Sequence, residues 1–305
     1  MTDTPGFSLV LPSLNEGSRL AETIQSGLDT CGNNSLEIIA VDDMSDDFSG
    51  QDARDMFADD NRVKVVFNER RLGVAGARHA GALASTGKTL IFVDAHSRFP
   101  DGWLDDIDAA MEMGGRQCLY GTALLPMDGQ EYAAVAHGVW YDTSDLSEHY
   151  TPARLHTDRP YHVMGLPGGS MIADRGFYLN TLGGFDPGLM PPWGQENMEL
   201  CMRSWLLGYQ CRIIPSVVIE THYKESDEAN PGIKAKNMLY NKLRIAALYM
   251  TRERFEKVGN DLRHQDYFAE AVAILLYDRM GALYERAIEW QIEPDDLFEK
   301  FGIQW

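Results

Sequence analysis

The first hundred residues alternate between short apolar runs and segments whose apolar side chains have helical spacing. The apolar runs cover residues 7–11, 36–41, 63–67 and 90–93. The predicted helices between them are one with Leu20, Ile24 and Leu28 on a single face, and two at residues 49–57 and 73–84. Strands that alternate with helices at this spacing are typical of a parallel sheet with helical crossovers. We therefore predict an α/β fold, with a mostly parallel sheet flanked by helices.

The pattern is less regular beyond residue 96. Predicted helices cover residues 103–113 and 195–207, and predicted strands cover residues 118–125, 170–173, 211–214 and 217–219. Residues 129–162 are irregular and rich in aromatic side chains. From about residue 234 onward, three helical runs follow. We expect one globular unit that carries a helical C-terminal extension.

Short segments that contain polar residues follow three of the predicted strands directly. They include Pro12, Leu14, Asn15 and Glu16 after the first strand, Asp43 after the second, and Asp94-Ala95-His96 after the fourth. Open α/β sheets bind ligands beyond the carboxyl ends of their strands. Side chains two positions apart in an extended segment share a face, so Asp94 and His96 can point at one metal ion. The alternative is that these residues only cap turns, positions that Asp, Asn and Ser favour in any case.

The amino-acid composition excludes some classes of binding partner and of cellular location. The formal charge of −19, from 27 basic and 46 acidic residues, argues against binding to nucleic acid or to an anionic membrane surface. No apolar run approaches the roughly 18 residues that a membrane-spanning helix needs, and the N-terminus lacks the basic segment of a signal peptide. The four cysteines show no metal-binding or disulfide spacing. We expect a cytoplasmic protein with free thiols and no integral membrane segment.

Two strand-end motifs resemble those of a known family. Pro12-Ser13-Leu14-Asn15-Glu16 and Val41-Asp42-Asp43-Met44-Ser45 are similar to the nucleotide-binding half of GT-A glycosyltransferases, which use nucleotide-diphosphate sugars. The helix that follows Arg71 and contains Arg78 looks like the arginine-bearing helix beside the diphosphate in that superfamily. The resemblance implies a GT-A (Rossmann-like) fold and a UDP-sugar donor. The donor contacts that it implies are Pro12, Leu14, Asn15, Glu16, Asp43, Arg71, Arg78, Asp94 and Ala95.

Downstream motifs narrow the resemblance to one branch. Asp94-Ala95-His96 followed by Trp103-Leu104 is similar to polypeptide N-acetylgalactosaminyltransferases, as are Gly183-Gly184-Phe185-Asp186 and Trp193-Gly194-Gln195-Glu196-Asn197. In the last motif, Gln195 stands where the family usually has glycine. The resemblance implies a GT-A catalytic domain over residues 1–233, with its nucleotide-binding half at about 1–96 and its acceptor-side half at about 97–233. Residues 234–305 would form the helical extension, without the lectin domain that such family members usually carry.

The same resemblance supplies a third metal ligand, because Thr221-His222 looks like the family segment that bears it. Asp94, His96 and His222 would offer one oxygen and two nitrogen ligands. That mixture suits Mn²⁺ in octahedral geometry, with Mg²⁺ as the alternative, better than a closed tetrahedral Zn²⁺ site. Such an ion would neutralise the departing diphosphate.

Asn197 bears on the stereochemistry of transfer. In the large inverting family of GT-A enzymes an Asp at this position acts as general base, and an amide cannot take that proton. We therefore expect transfer with retention, in which Glu196 orients hydroxyl groups and Trp193 contributes to the catalytic site. Two alternatives stay open, which are an inverting family-2-like transferase acting on a glycan or small molecule, and a non-catalytic sugar-nucleotide-binding protein.

The sequence leaves the acceptor open among a peptide, a glycan and a small molecule. The transferred sugar is expected to be an N-acetylhexosamine or a hexose. The C-terminal helices could pack on the catalytic domain or form a homo-oligomer contact, and residues 224–232 are expected to act as a mobile lid next to the metal site.

Overall fold

One sheet of nine strands organises the computed structural model, which describes residues 5–127, 129, 137–151, 157–191, 194–223, 235–277 and 290–303. The first part alternates strands and helices: β1 (Phe7–Ser13), α1 (Ser18–Thr30), β2 (Leu36–Asp42), α2 (Ser49–Met56), β3 (Val63–Phe67), α3 (Gly73–Ala84) and β4 (Thr89–Val93). The middle part contains β5 (Ser97–Arg98), α4 (Trp103–Gly114), β6 (Cys118–Pro126), β7 (Val139–Tyr141), β8 (Glu148–Tyr150), β9 (Tyr161–His162), β10 (Ser170–Asp174), a π-helix (Phe177–Thr181), α5 (Glu196–Leu206) and β11 (Gln210–Thr221). The last part is helical: α6 (Ala235–Tyr249), α7 (Arg252–Leu262), α8 (Phe268–Tyr277) and α9 (Pro294–Lys300).

The strand order of the sheet is β3-β2-β1-β4-β10-β6-β11-β5, and β9 pairs with β11. Strands β3, β2, β1, β4, β6 and β11 run in one direction, whereas β10, β5 and β9 run in the other. Strands β7 and β8 form a separate antiparallel hairpin. The prediction of an α/β fold with a mostly parallel sheet flanked by helices is confirmed.

Adjacent residues of β1 pack against helices on opposite faces of the sheet. Leu9 and Leu11 share an apolar cluster with residues of α1 and α4, whereas Val10 belongs to the cluster that contains residues of α3 and α5. All three side chains are fully buried. Because both faces of this strand are covered, its sequence is a continuous apolar run instead of an alternating one.

Several details differ from the sequence prediction. The two predicted strands at 211–214 and 217–219 are one strand, β11, whose pairing with β6 shifts between Ile214 and Val218, around Pro215. Proline cannot donate a ladder hydrogen bond, so the chain bulges there without ending the strand. The segment at 129–162 contains β7, β8 and β9 among its described residues, and the described part of the C-terminal region holds four helices where three were predicted.

The C-terminal helices share a hydrophobic core with the rest of the protein. Leu239 and Leu243 of α6, and Phe298 of α9, lie in one buried cluster with Leu200 and Trp205 of α5. The predicted division at residue 233/234 stays a prediction. The four cysteines are buried and unpaired, as expected, and no helix within the described ranges is both long and apolar enough to cross a membrane.

Candidate active site

A cleft of about 610 Å³ opens where β1, β2, β4 and β11 end. It brings together 13 of the residues that the sequence and the family resemblance indicated: Pro12, Leu14, Asn15, Glu16, Asp43, Arg71, Arg78, Asp94, Ala95, His96, Glu196, Asn197 and His222. Trp193 and the predicted lid at residues 224–232 lie outside the described residues. The individual roles assigned to these side chains stay proposals.

The loops after β1 and β2 are tied to each other by Asn15. Its backbone has a φ of 53°, in the left-handed region that asparagine tolerates better than most residues. The Asn15 N–H donates to Ser45 Oγ over 3.0 Å, and Asn15 Oδ1 accepts from the Asp46 N–H over 2.7 Å. These two bonds fix the positions of both loops where they line the cleft.

Asp43 has a structural function in addition to lining the cleft. Its Oδ1 accepts hydrogen bonds from the Leu72 N–H and from Asn68 Nδ2, and its Oδ2 accepts from the Gly73 N–H, each over 2.8 Å. A carboxylate at this position satisfies N–H groups at the start of α3 and complements the helix dipole. The sequence predicted only donor contact for Asp43, because the pairing with α3 depends on the tertiary fold.

The candidate metal ligands gather at the end of β4. Oδ2 of Asp94 lies 3.9 Å from Nε2 of His96, a separation that one ion can span. Nδ1 of His96 lies 3.0 Å from Oε2 of Glu16, an arrangement that fixes the imidazole ring and directs Nε2 toward Asp94. The His222 N–H donates to the His96 carbonyl over 2.9 Å, and the two rings are 6.4 Å apart. In the part of the chain that the structure describes, no three His, Cys, Asp or Glu side chains form a ready metal cluster. The donor atoms of Asp94 and His96 are close enough to share an ion, and the role of His222 as third ligand stays a prediction.

Arg78 joins the metal side of the cleft to its opposite wall. The residue as a whole is 1% exposed. Nη2 donates to Asp94 Oδ1 over 2.9 Å and to the Gly168 carbonyl over 2.6 Å, and Nη1 donates to Glu196 Oε1 over 3.2 Å. The family resemblance placed Arg78 beside the diphosphate. The structure adds that one buried cation neutralises both candidate carboxylates.

The first turn of α5 carries Glu196 and Asn197 into the cleft. Glu196 Oε2 accepts from the Gly194 N–H over 3.1 Å, and Asn197 Nδ2 donates to the Leu166 carbonyl over 3.0 Å. Every residue of α5 is buried. Both side chains are therefore held in fixed orientations.

Sequence reasoning missed Glu148, which enters the cleft from β8. Burial, and then the negative charge of Glu196, raise the pKa of Glu148 to about 7, while a hydrogen bond with Asn197 and the charge of Lys242 act in the opposite direction. A carboxyl group that titrates near neutrality beside a second carboxylate is a candidate acid or base. Its only sequence signal was its position in the irregular segment 129–162, which carries no recognisable motif.

Helix α6 holds the loop that leads into α5. Asn241 Oδ1 accepts from the Met190 N–H over 2.7 Å, and its Nδ2 donates to the Met190 and Gly194 carbonyls over 3.0 and 3.1 Å. Nearby, Nε of Arg244 pairs with Asp186 Oδ2 over 2.8 Å in a buried position. The last turn before Glu196 therefore depends on contacts from the C-terminal region.

The amino-acid sequence is similar to those of known sugar transferases. The chain is 27% identical to N-acetylgalactosaminyltransferase 7 of Drosophila melanogaster, over 98% of this chain and 54% of that protein. It is 30% identical to polypeptide N-acetylgalactosaminyltransferase 11 of Xenopus tropicalis, over 95% of this chain and 50% of that protein. The chain thus spans about half the length of the curated relatives it matches.

A solved structure shares the fold. The crystal structure of GalNAc-T7 with UDP, GalNAc and Mn²⁺ superposes with a TM-score of 0.73 at 23% identity, over 89% of this chain and 54% of that chain. This likeness confirms the predicted GT-A fold. The predicted homology to polypeptide N-acetylgalactosaminyltransferases is confirmed by the sequence relatives. The model of glycosyl transferase family 2 matches residues 8–173, more than half of the sequence, and this chain therefore belongs to glycosyl transferase family 2.

Proposed function

We propose that this protein transfers a sugar, an N-acetylhexosamine or a hexose, from a UDP-sugar to an acceptor hydroxyl, with the help of a divalent metal ion. The observation that carries the proposal is the cleft itself. It combines the Asp94 and His96 donor pair with Glu196 and Asn197 on the opposite wall, and Arg78 connects the two sides. A buried carboxylate opposite the candidate metal ligands supplies a group that can orient a second substrate, which a transfer reaction requires in addition to nucleotide binding.

The loops after β1 and β2 would hold the nucleotide. Asn15 and Glu16 of the first loop, and Arg71, two residues before α3, all line the cleft. Arg71 is exposed and its Nη2 donates to the Met44 carbonyl over 3.2 Å, which leaves further N–H donors of a five-donor group for a phosphate. This local cation is important because the protein as a whole is strongly acidic.

Asp94 and His96 would bind Mn²⁺ or Mg²⁺, and His222 would complete the set. A carboxylate oxygen beside an imidazole nitrogen is a donor pair that Mn²⁺ accepts. The bound ion would supply charge neutralisation for the departing diphosphate. The chain's own contribution is orientation, because Glu16 holds the His96 ring and Arg78 holds Asp94.

Retention of configuration is the favoured stereochemistry. The side chain of Asn197, at the position of the inverting base, donates to the Leu166 carbonyl and has no basic atom. The departing phosphate oxygen would then take the acceptor proton on the same face of the sugar. Glu196, fixed by Arg78 and Gly194, would orient hydroxyl groups of the substrates.

The position of Glu148 favours a second candidate, an inverting transfer. Its carboxyl lies beside Asn197 and titrates near neutrality, so it could take the acceptor proton from the face opposite the leaving group. The stereochemistry of the product separates the two candidates.

A donor-hydrolysis screen tests the proposal without knowledge of the acceptor, because water replaces it. Purified protein is incubated with a panel of UDP-sugars and Mn²⁺, and UDP release is measured with and without EDTA. We expect release from at least one UDP-sugar, abolished by EDTA, and an initial sugar product with the donor's anomeric configuration by NMR. Tight donor binding without any UDP release, even with simple acceptors, would favour the non-catalytic alternative.

The acceptor, a peptide, glycan or small molecule, is left to a subsequent screen. The cytoplasmic location and a homo-oligomer contact through the C-terminal helices stay predictions from the sequence.

A further inference from the structure

Gln195 combines two features that oppose stability at the edge of the cleft. It is the residue before α5, and its φ of 72° lies in the left-handed region that favours glycine. Its side chain makes no capping hydrogen bond to the helix. A glycine would adopt this backbone without strain, so the backbone alone does not explain a glutamine here.

The side chain adds a second unfavourable feature. Gln195 is only 7% exposed, yet its Oε1 atom is buried without a hydrogen-bond partner among the residues that the structure describes. A buried carbonyl oxygen that has lost its water and gained no donor destabilises the folded protein. Strain and unsatisfied polar atoms are concentrated in proteins at sites that contact ligands.

The backbone around Gln195 is held rigidly in spite of this strain. Its carbonyl accepts from the Glu199 N–H over 2.9 Å inside α5, and the preceding Gly194 carbonyl accepts from Asn241 on α6. The same residue lines the cleft, as do Glu196 and two residues of α6, Met238 and Lys242. The backbone of Gln195 is therefore fixed where the residue lines the cleft, and its buried Oε1 atom lacks a described partner at that wall.

We infer that Gln195 is a specificity-determining residue whose amide oxygen accepts a hydrogen bond from the transferred sugar of the donor. The inference rests on the proposed function, since it requires a UDP-sugar in this cleft. The group that it recognises is a hydrogen-bond donor, either a ring hydroxyl or the N–H of an N-acetyl substituent. Binding would satisfy the buried Oε1 atom, and the ligand would recover the free energy that the free protein loses.

Two variants separate a ligand contact from a structural role. Gln195→Gly removes the amide and also relieves the backbone strain at a positive φ. Gln195→Ala removes the amide but keeps a Cβ atom, and therefore the strain, at that position. Phe48→Gly is the matched control, because Phe48 also precedes a helix (α2) with a left-handed φ of 63°, but it is 71% exposed and lies outside the cleft.

The readouts are the melting temperature and the dissociation constants of UDP, UDP-galactose and UDP-N-acetylgalactosamine with Mn²⁺. We expect Gln195→Gly to melt higher than the wild type and to bind UDP with an unchanged constant. It should bind a UDP-sugar about 2-fold to 10-fold more weakly, which corresponds to the net free energy that one neutral hydrogen bond contributes. Gln195→Ala should show the same weaker binding without the higher melting temperature, and Phe48→Gly should melt higher with all three constants unchanged.

The two sugars identify the recognised group. A loss confined to UDP-N-acetylgalactosamine assigns the N-acetyl N–H, and an equal loss for both assigns a ring hydroxyl. Equal constants for the wild type and both Gln195 variants, or an equal loss for UDP and the UDP-sugars, would overturn the inference while leaving the proposed function intact. Failure of the wild type to bind any UDP-sugar would overturn both.

Discussion

Arg78 and Glu196, which are 118 residues apart in the sequence, form a buried ion pair of 3.2 Å across the candidate active site. The side chains are 2% and 4% exposed, and the same guanidinium also pairs with Asp94. Stability and site geometry therefore depend on one cation.

Replacement of Arg78 by methionine should destabilise the protein by about 3–5 kcal/mol, because it leaves Glu196 buried without an opposite charge. Urea unfolding measures the loss. The control is Arg54→Met, which removes an exposed pair with Asp55 and should change stability by about 1 kcal/mol at most. Similar small losses for both variants would show that Arg78 is not needed to neutralise Glu196.

His96→Ala should lower UDP-sugar hydrolysis by about 100-fold or more, since charge neutralisation by a bound metal contributes several kcal/mol to such steps. The protein should stay folded, with a melting temperature without metal that falls only modestly, because the truncation removes the hydrogen bond between His96 and Glu16 in the cleft. His264→Ala, at an exposed position, is the control. Unchanged turnover in His96→Ala would contradict the metal assignment.

Stability should fall as the pH rises through the titration of Glu148. Its folded pKa of about 7 is higher than the ordinary value of 4.5, so the native state holds a proton that the unfolded state releases between these values. The effect is absent below the unfolded pKa and complete above the folded one. Melting curves from about pH 4 to about pH 8 should show the wild type losing stability relative to Glu148→Gln, which is neutral throughout. Parallel curves would contradict the raised pKa.

The same variant distinguishes the two stereochemical candidates. If Glu148 is the base of an inverting transfer, Glu148→Gln should lose at least about 100-fold in donor hydrolysis, within the range for general base catalysis, together with the pH-rate transition near neutrality. In a retaining transfer the variant keeps most of its turnover, and the product keeps the donor's configuration. NMR of the initial sugar product provides the independent check.

Close packing of α3 on β1 makes Gly81 sensitive to a single methyl group. A Cβ atom at Gly81 would lie 2.3 Å from Val10 Cγ1 and 3.0 Å from Val41 Cγ2. Gly81→Ala should therefore destabilise the protein by about 1–3 kcal/mol through overpacking. Gly259→Ala in α7 meets no atom within 4 Å and should stabilise by about 0.5–1 kcal/mol. Opposite signs in urea unfolding would support the packing argument, and stabilisation of both would refute it.

The fold of the first hundred residues was predictable because its strands and helices carry strong local sequence signals. Strand β3 and helix α3 have the predicted bounds, and β1, β2 and β4 differ by one or two residues. Parallel strands that are covered on both faces have continuous apolar sequences, and such sequences can be recognised without knowledge of the tertiary structure. The strand ends then placed Asn15, Asp43 and Asp94 at one edge by topology alone.

The structure after residue 96 was less predictable, because the positions of its strands and of its cleft residues depend on contacts between segments that are distant in the sequence. The direction of β10, antiparallel between β4 and β6, has no sequence signal. Strands β7 and β8 have three residues each, too few for a periodic pattern. Glu148 is recognisable as a candidate acid or base only when the fold brings Asn197 and Glu196 beside it. Arg78 was identified from the sequence as a candidate site residue, but its ion pair with Glu196 could not be predicted.

The hydrogen bonds and ion pair from α6 to the loop before α5 have a consequence for how the protein folds during translation. Arg244 and Asn241 hold Asp186 and Met190, which precede them in the chain by 58 and 51 residues. On the ribosome the first βα units emerge first and can fold as the chain grows. The loop before Glu196 gains its bonds to Asn241 only after α6 has left the exit tunnel. The nascent chain can therefore form the strand ends at one side of the cleft well before the loop into α5 is fully held, and translation through α6 supplies the last of these contacts.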